Sequence, residues 1–370
     1  MSNSFGRCFR ITSFGESHGR CVGVVVDGCP AGLKLSEKVI QRDLDRRRPA
    51  QSLITSSRDE SDRVELLSGV FQGYTTGAPI CMVVENVDID SRPYEKLKST
   101  PRPGHADYAA YIKYGGFADY RGGGRFSGRI TAGFVMAGSV AKKLLKEVLQ
   151  VEVLAHCCEI GGIKAKESTF EEIKMNVEEN PVRCADLEAA EKMLQAVEEA
   201  SKVGDSLGGT VECIVNPIPA GIGDPIFNTL EGDISKALFS IPAVKSVEFG
   251  AGNLFSRLRG SASNDAYVIK NGRVLTETNR AGGILGGISN GMPIICRATF
   301  KPTPSLGLPQ RTVDLSSGEE TVIQVEGRHD PCIAPRAVPV VEAMVALVVA
   351  DHAIASGFIP RVIRGRDNGV

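Results

Sequence analysis

The chain has 370 residues, enough to bury a substantial core and to form one large domain or two or three ordinary ones. Its 43 lysines and arginines balance 44 aspartates and glutamates, so no long-range field draws in nucleic acid or an anionic membrane, and any anion site has to be built locally. The lack of tryptophan and of a basic-aromatic motif also speaks against a nucleic-acid module built on the arginine runs.

The N-terminal residues lack the basic, apolar, small-residue order of a secretory signal, so a cytoplasmic location is expected. Residues 21–29, where Val22, Val24 and Val26 alternate with small residues, and residues 80–84, bounded by Pro79 and Glu85-Asn86, read as strands. Residues 131–147 predict a helix whose Gly133, Ala137, Gly138 and Ala141 imply close backbone packing. Leu187, Ala190, Leu194 and Val197 recur at helical spacing behind the cap candidate Asp186, with Gly204 past the end, and predict an amphipathic surface helix. Residues 337–350 are apolar nearly all round and predict a buried helix; the apolar run 338–350 contains Glu342 and falls short of the roughly 20 residues that span a bilayer.

The ten cysteines sit mostly singly in strand-like text and read as buried thiols of a reducing compartment. His156-Cys157-Cys158 has no second cluster at zinc-like spacing, so no metal is expected. The polar motifs near residues 15, 48, 105, 125, 303 and 329 are far apart, and collecting them into one site requires one compact domain.

Gly15-Glu16-Ser17-His18-Gly19 sets a hydroxyl beside an imidazole between two glycines, where backbone can approach a planar ligand. In Asp45-Arg46-Arg47-Arg48-Pro49 successive side chains cannot all face solvent, so at least one arginine should turn inward to a phosphate or carboxylate. Arg102-Pro103-Gly104-His105-Ala106-Asp107 places a histidine after a Pro-Gly turn beside an arginine, a candidate general acid for an anionic leaving group. Arg121-Gly122-Gly123-Gly124-Arg125-Phe126-Ser127-Gly128-Arg129, just before the helix near residue 131, suggests a phosphate-holding loop; its glycine spacing is not that of a dinucleotide fingerprint. Lys301-Pro302-Thr303-Pro304-Ser305 and Arg328-His329-Asp330-Pro331 fix polar side chains beside prolines.

Together and in this order, from Phe5 to about Asp351, these segments resemble the chorismate synthase family, as do Ser68-Gly69-Val70-Phe71, Thr75-Thr76-Gly77, Asp119-Tyr120-Arg121 and residues 282–287. The resemblance implies a single-domain α/β (α+β layered) fold over residues 1–370, with two antiparallel sheets packed with helices, a peripheral tail from about residue 353, and a homotetramer. It implies a lyase that uses reduced FMN to eliminate phosphate from 5-enolpyruvylshikimate 3-phosphate by a 1,4-anti reaction, giving chorismate. NADPH on the same chain or an external flavin reductase would supply the reduced flavin.

By the same resemblance His105 would protonate the departing phosphate, while Arg47, Arg48, Arg102 and Arg129 hold its charge and the substrate carboxylates. His18 would sit against the flavin pyrimidine edge, and Asp330, relayed through Ser17 and Ser127, would help flavin N5 accept the substrate proton. The FMN positions map onto Arg125, Phe126, Ser127, Pro242, Ala243, Gly286, Lys301, Pro302, Thr303, Pro304, Ser305 and Arg328.

The chain departs from the family pattern at Phe126, usually serine, at Pro242, usually asparagine, and at Leu53 and Asp59, usually basic. These changes keep a non-catalytic flavoprotein as the competing reading; retention of His18, His105, Ser17, Ser127 and Asp330 argues against it. An ordinary flavin oxidoreductase would need a hydride-donor site, and no nicotinamide fingerprint is present. Ile130 and Phe134 replace a usual glutamate and arginine four apart, and because both partners changed, the pair reads as compensated repacking. Leu53 and Asp59 have no such compensation. Leu53→Arg is expected to tighten substrate or nucleotide binding, and an unchanged affinity by titration would remove that idea.

Overall fold

The structure is a computed structural model that describes residues 3–48, 61–87, 89–325 and 330–364. Leu53, Asp59 and Arg328 lie outside the described residues.

Four layers follow from the way apolar faces are paired off. The first sheet takes the strands Ser4–Phe5, Arg10–Gly15, Cys21–Asp27, Ile80–Glu85 and Val64–Leu66 in that spatial order, all neighbours antiparallel. The second takes Val244–Phe249, Ile294–Phe300, Gly209–Asn216, Glu152–Ile160 and Ile163–Lys164, also antiparallel throughout. Alternate burial along Ile80–Glu85 and Ile294–Phe300 shows one face of each strand turned inward.

Between the sheets lie two long helices. Thr131–Leu149 covers the first sheet, Ala334–Ala355 covers the second, and the two pack on each other, so one hydrophobic core runs through all four layers. The small residues of the 131–149 helix act as the sequence implies: a Cβ on Gly138 would lie 2.2 Å from the Cβ of Ala343, which forces a close helix–helix approach. Ile130 and Phe134, the apolar pair that stands for a usual charged pair, are both buried in this core.

The amphipathic helix is Leu187–Lys202, and Asp186 caps it by accepting from the N–H groups of Glu188 and Ala189. The buried helix runs well past the apolar stretch, over the 22 residues Ala334–Ala355. That is long and apolar enough to cross a bilayer by composition, but 94% of the apolar window is buried inside the protein. Of the segment expected to be a peripheral tail from about residue 353, most described residues up to 364 are exposed, while Ala353 and Ile359 are buried, Val362 forms a parallel bridge with Ala31, and the Ile363 N–H bonds Ala31 O at 2.8 Å. Apolar Ile359 and the open backbone edge at Ala31 anchor it to the body.

A buried charge cluster ties the inner helices to Glu37–Arg47. The Glu342 carboxylate accepts from Arg46 at 2.6 and 2.9 Å, from Lys142 Nζ at 2.9 Å and from the Ala155 N–H at 3.1 Å. Burial would raise the Glu342 carboxyl, but Arg46 and Lys142 outweigh it and bring it from 4.5 down to about 2. Glu342→Gln removes the charge that both cations share, leaving Asp43 beside each and Glu178 on Arg46, and is expected to lower unfolding free energy by about 3 kcal/mol in chemical denaturation. Because the folded pKa is depressed, this contribution is complete above pH 4.5 and is lost as pH falls toward 2. The variant's stability should therefore vary less with pH across that window.

Candidate active site

The inner helices and the loops at their ends enclose a cavity of about 660 Å³. Arg47, Arg102, Arg125, Arg129, Lys245, Lys301 and Arg336 line it with His105, against the single carboxylate of Asp330 among the described residues. In a chain of net charge −1 this is the locally built anion site that composition requires.

The Gly122-Gly123-Gly124 turn places the two histidines. All three glycines have positive φ, of 58°, 81° and 51°. A Cβ on Gly122 would meet the His18 ring at 2.3 Å and Ser17 Oγ at 2.8 Å, and one on Gly123 would come within 3.4 Å of His105 Cε1. The turn therefore serves contact with both imidazoles. Of its flanking arginines, Arg121 turns out to Asp119 at 2.8 Å, and Arg125 reaches Gly15 O at 3.0 Å and Asn3 Oδ1 at 3.1 Å.

His105 Nδ1 lies 2.5 Å from Asp107 Oδ1. The same carboxylate accepts from Arg102 at 2.8 and 2.9 Å, while Arg102 Nη2 also stands 3.1 Å from His105 Nδ1. Burial alone would raise Asp107, but the hydrogen bonds from Arg102 and His105 hold it well below the usual carboxylate range. An ionised Asp107 fixes a proton on Nδ1 and directs the rest of the ring. His18 is buried behind the turn, with Nδ1 2.8 Å from Ser91 Oγ and its ring edge-on to Tyr94 at 5.1 Å. Tyr94 lines the cavity and also faces the Arg102 guanidinium at 6.0 Å.

The arginine run divides as helix geometry dictates. Arg46 goes to Glu342, and Arg47 goes to the site, donating to Thr131 Oγ1 at 3.1 Å, Gly128 O at 2.7 Å and Asp62 Oδ2 at 3.1 Å. Arg129 shares Asp62 and donates to Asn86 Oδ1 at 2.9 Å. Asn86 also bonds the carbonyls of Glu16 and Gly19, which ties the Ser17-His18 turn to Arg129. Arg336 bonds Asp330 at 2.5 Å and Arg47 O at 3.2 Å. Lys301 donates to Gly104 O, and desolvation followed by the charge of Lys245 lowers its pKa.

Of the residues expected from sequence, Arg47, Arg102, His105, Arg125, Phe126, Ser127, Arg129, Pro242, Ala243, Lys301, Thr303, Pro304, Ser305 and Asp330 line this one cavity. Ser17 and His18 stand behind Gly122, and Pro302 adjoins lining residues without lining the cavity itself. Arg48 closes the Glu37–Arg47 helix through its N–H on Leu44 O at 2.9 Å and is not among the lining residues; Gly286 is at the turn of the Ile284–Leu285 and Ile288–Ser289 hairpin, also outside the lining. Sequence reasoning missed Asp62, Tyr94, Lys245, Arg336 and the partner role of Asp107. Only Asp107 carried a signal, two residues from the histidine it serves.

Residues 9–354 match the family profile described as chorismate synthase. The chain belongs to the chorismate synthase family. It is 57% identical to the chorismate synthase of Methanosarcina acetivorans over 98% of this chain and 99% of the relative. It is 54% identical to that of Dehalococcoides mccartyi over 98% and 100%, and 55% identical to that of Korarchaeum cryptofilum over 95% and 97%. A solved structure titled "Crystal Structure of Chorismate Synthase" superposes with a TM-score of 0.75 at 30% identity, covering 95% of this chain and 93% of that one. The layered fold with two antiparallel sheets is thus the chorismate synthase fold, and the activity is that of a carbon–oxygen lyase of the shikimate pathway, serving aromatic amino acid biosynthesis.

Asp107→Asn removes the charge that orients His105. It is expected to lower kcat for phosphate release roughly 10- to 100-fold, part of what a general acid contributes, with a native circular-dichroism spectrum at the assay temperature as the control.

Proposed function

We propose that the cavity holds reduced FMN beside 5-enolpyruvylshikimate 3-phosphate and that its residues carry out the 1,4-anti elimination giving chorismate. The observation that carries this reading is one cavity in which seven cations gather around a histidine fixed by an ionised carboxylate.

The residues present fit a flavin. About 660 Å³ lies within the range of roughly 300–1,000 Å³ of cofactor and ligand sites. Phe126, Ile241, Pro242 and Ala243 supply an apolar wall, and the buried Ser17 Oγ behind Gly122 has no hydrogen-bond partner among the described residues. Arg125, Phe126, Ser127, Pro242, Ala243, Lys301, Thr303, Pro304 and Ser305 would hold the cofactor. Reduced FMN, when bound, supplies electron density as the substrate's carbon–oxygen bond breaks.

In this reading Arg47, Arg129 and Arg102 bind the phosphate and carboxylates and hold the leaving group against His105. His105 keeps its Nδ1 proton on Asp107 and donates from Nε2 to the departing phosphate. Asp330, held by Arg336, is the carboxylate through which the substrate proton leaves, with the hydroxyls of Ser17 and Ser127 as its assigned relays. Phe126 and Pro242, standing where the family usually has serine and asparagine, leave the flavin wall apolar and do not remove these groups.

The whole chain is assigned as one catalytic domain, supported by the continuous core, and as a homotetramer. A cytoplasmic location is supported by ten free thiols. The substrate is a small molecule, and the flavin is reduced either by NADPH on this chain or by an external flavin reductase.

Anaerobic assay with 5-enolpyruvylshikimate 3-phosphate and chemically reduced FMN is expected to release phosphate and form chorismate, and repetition with oxidised FMN plus NADPH separates the two sources of electrons. His105→Ala is expected to lower kcat about 100- to 10,000-fold while still binding FMN. No chorismate from folded, FMN-binding wild-type protein would replace this reading with that of a non-catalytic flavoprotein.

A further inference from the structure

Two guanidinium groups side by side in a poorly hydrated wall repel each other and would splay apart unless a counter-charge holds them. Arg47 and Arg129 are such a pair: both line the cavity, with side chains only 4% and 3% accessible. One buried carboxylate takes both. Asp62 gives Oδ2 to Arg47 at 3.1 Å and Oδ1 to Arg129, and its own side chain is fully inaccessible and does not line the cavity.

Asp62 is itself fixed. Gln41 Nε2, on the Glu37–Arg47 helix, bonds Asp62 O at 3.1 Å, and Gln41 Oε1 accepts the Val64 N–H at 3.0 Å. Its backbone has φ of 45°, the left-handed region that a non-glycine residue keeps only when its surroundings hold it there. Among the described residues the other bonds of the two arginines run to separate anchors, Thr131 and Gly128 for Arg47, Asn86 and Glu85 O for Arg129, and Asp62 is the one group joining the two forks.

We infer that Asp62 is a positioning residue for phosphate recognition: it clamps Arg47 and Arg129 at one spacing and offsets one of their two positive charges before the phosphate arrives. The anion then completes a charge balance already half made, so it is held through paired N–H groups and can leave after the carbon–oxygen bond breaks. Burial would raise the Asp62 carboxyl, but Arg47 and Arg129 outweigh it and hold it below its ordinary value, so the carboxylate stays ionised through the neutral range. This rests on the assignment of the cavity to a phosphate-bearing substrate, and deepens it.

The test uses the full-length protein without flavin and inorganic phosphate as the probe, by calorimetric titration at neutral pH. Asp62→Asn leaves one amide oxygen for two guanidiniums and turns an N–H toward the other. It is expected to weaken phosphate binding at least tenfold and to raise KM for substrate to a similar extent, a larger factor than any fall in kcat, with FMN affinity unchanged. In an Arg129→Ala background the same change is expected to add less than threefold, because one of the two forks is already gone. Equal losses in both backgrounds, or unchanged phosphate affinity in the single variant, would overturn the inference.

Should Asp62→Asn fail to fold, Asp62→Glu keeps the charge and moves it by one methylene. A threefold or greater loss of phosphate affinity is then expected, and wild-type affinity sinks the proposal. Wild-type turnover separates the two levels: no chorismate with an intact phosphate effect removes the lyase assignment alone, while normal turnover with no Asp62 effect removes only the clamp.

Discussion

Everything in this molecule hangs on a carboxylate where none is cheap to place. Glu342 is buried at mid-helix in the most apolar element of the chain, and it is tolerable there only because Arg46, Lys142 and the Ala155 N–H converge on it. Those partners come from the Glu37–Arg47 helix, the Thr131–Leu149 helix and the second sheet. The cluster thereby sets how four elements meet, which apolar packing alone would leave freer to slide.

The site inherits its geometry from that choice. With Arg46 committed to Glu342, the roughly 100° turn per helical residue sends Arg47 toward the cavity. The same device then recurs around the wall. Arg47 and Arg129 have Asp62 behind them, Arg102 has Asp107, and Arg336 has Asp330. Four of the seven cations of the cavity are thus held by carboxylates, which fixes them in place, and a chain of near-zero net charge carries the site without a large outward field.

Much of this was legible in the sequence, for identifiable reasons. The helices at residues 131–149 and 187–202 announced themselves through small-residue spacing, an apolar stripe and an Asp186 cap, all local properties. His105 and Arg102 share one turn, so their meeting was also local. What could not be read was long-range pairing: Asp62 lies fifteen residues from Arg47 and 67 from Arg129, with nothing in its neighbours to mark it. Arg336 is hidden in an apolar run that suggested only burial. The tail beyond residue 353 is mostly exposed where described, and its anchors, the burial of Ile359 and the bridge to Ala31, are again long-range pairings.

The order in which the layers occur along the chain bears on how the protein comes into being. Strands of the first sheet are complete by Glu85 and those of the second by Phe300, yet the helix that covers the second sheet and packs on the 131–149 helix is Ala334–Ala355, with residues up to 363 then closing back on Ala31. At ribosomal speeds of about 5–20 residues per second, the face of the Thr131–Leu149 helix that packs on Ala334–Ala355 waits roughly 10–40 seconds for its cover. Folding is therefore largely deferred to release of the nascent chain. Such a polypeptide depends on sequestration during its own translation more than a protein built from consecutive, self-sufficient units.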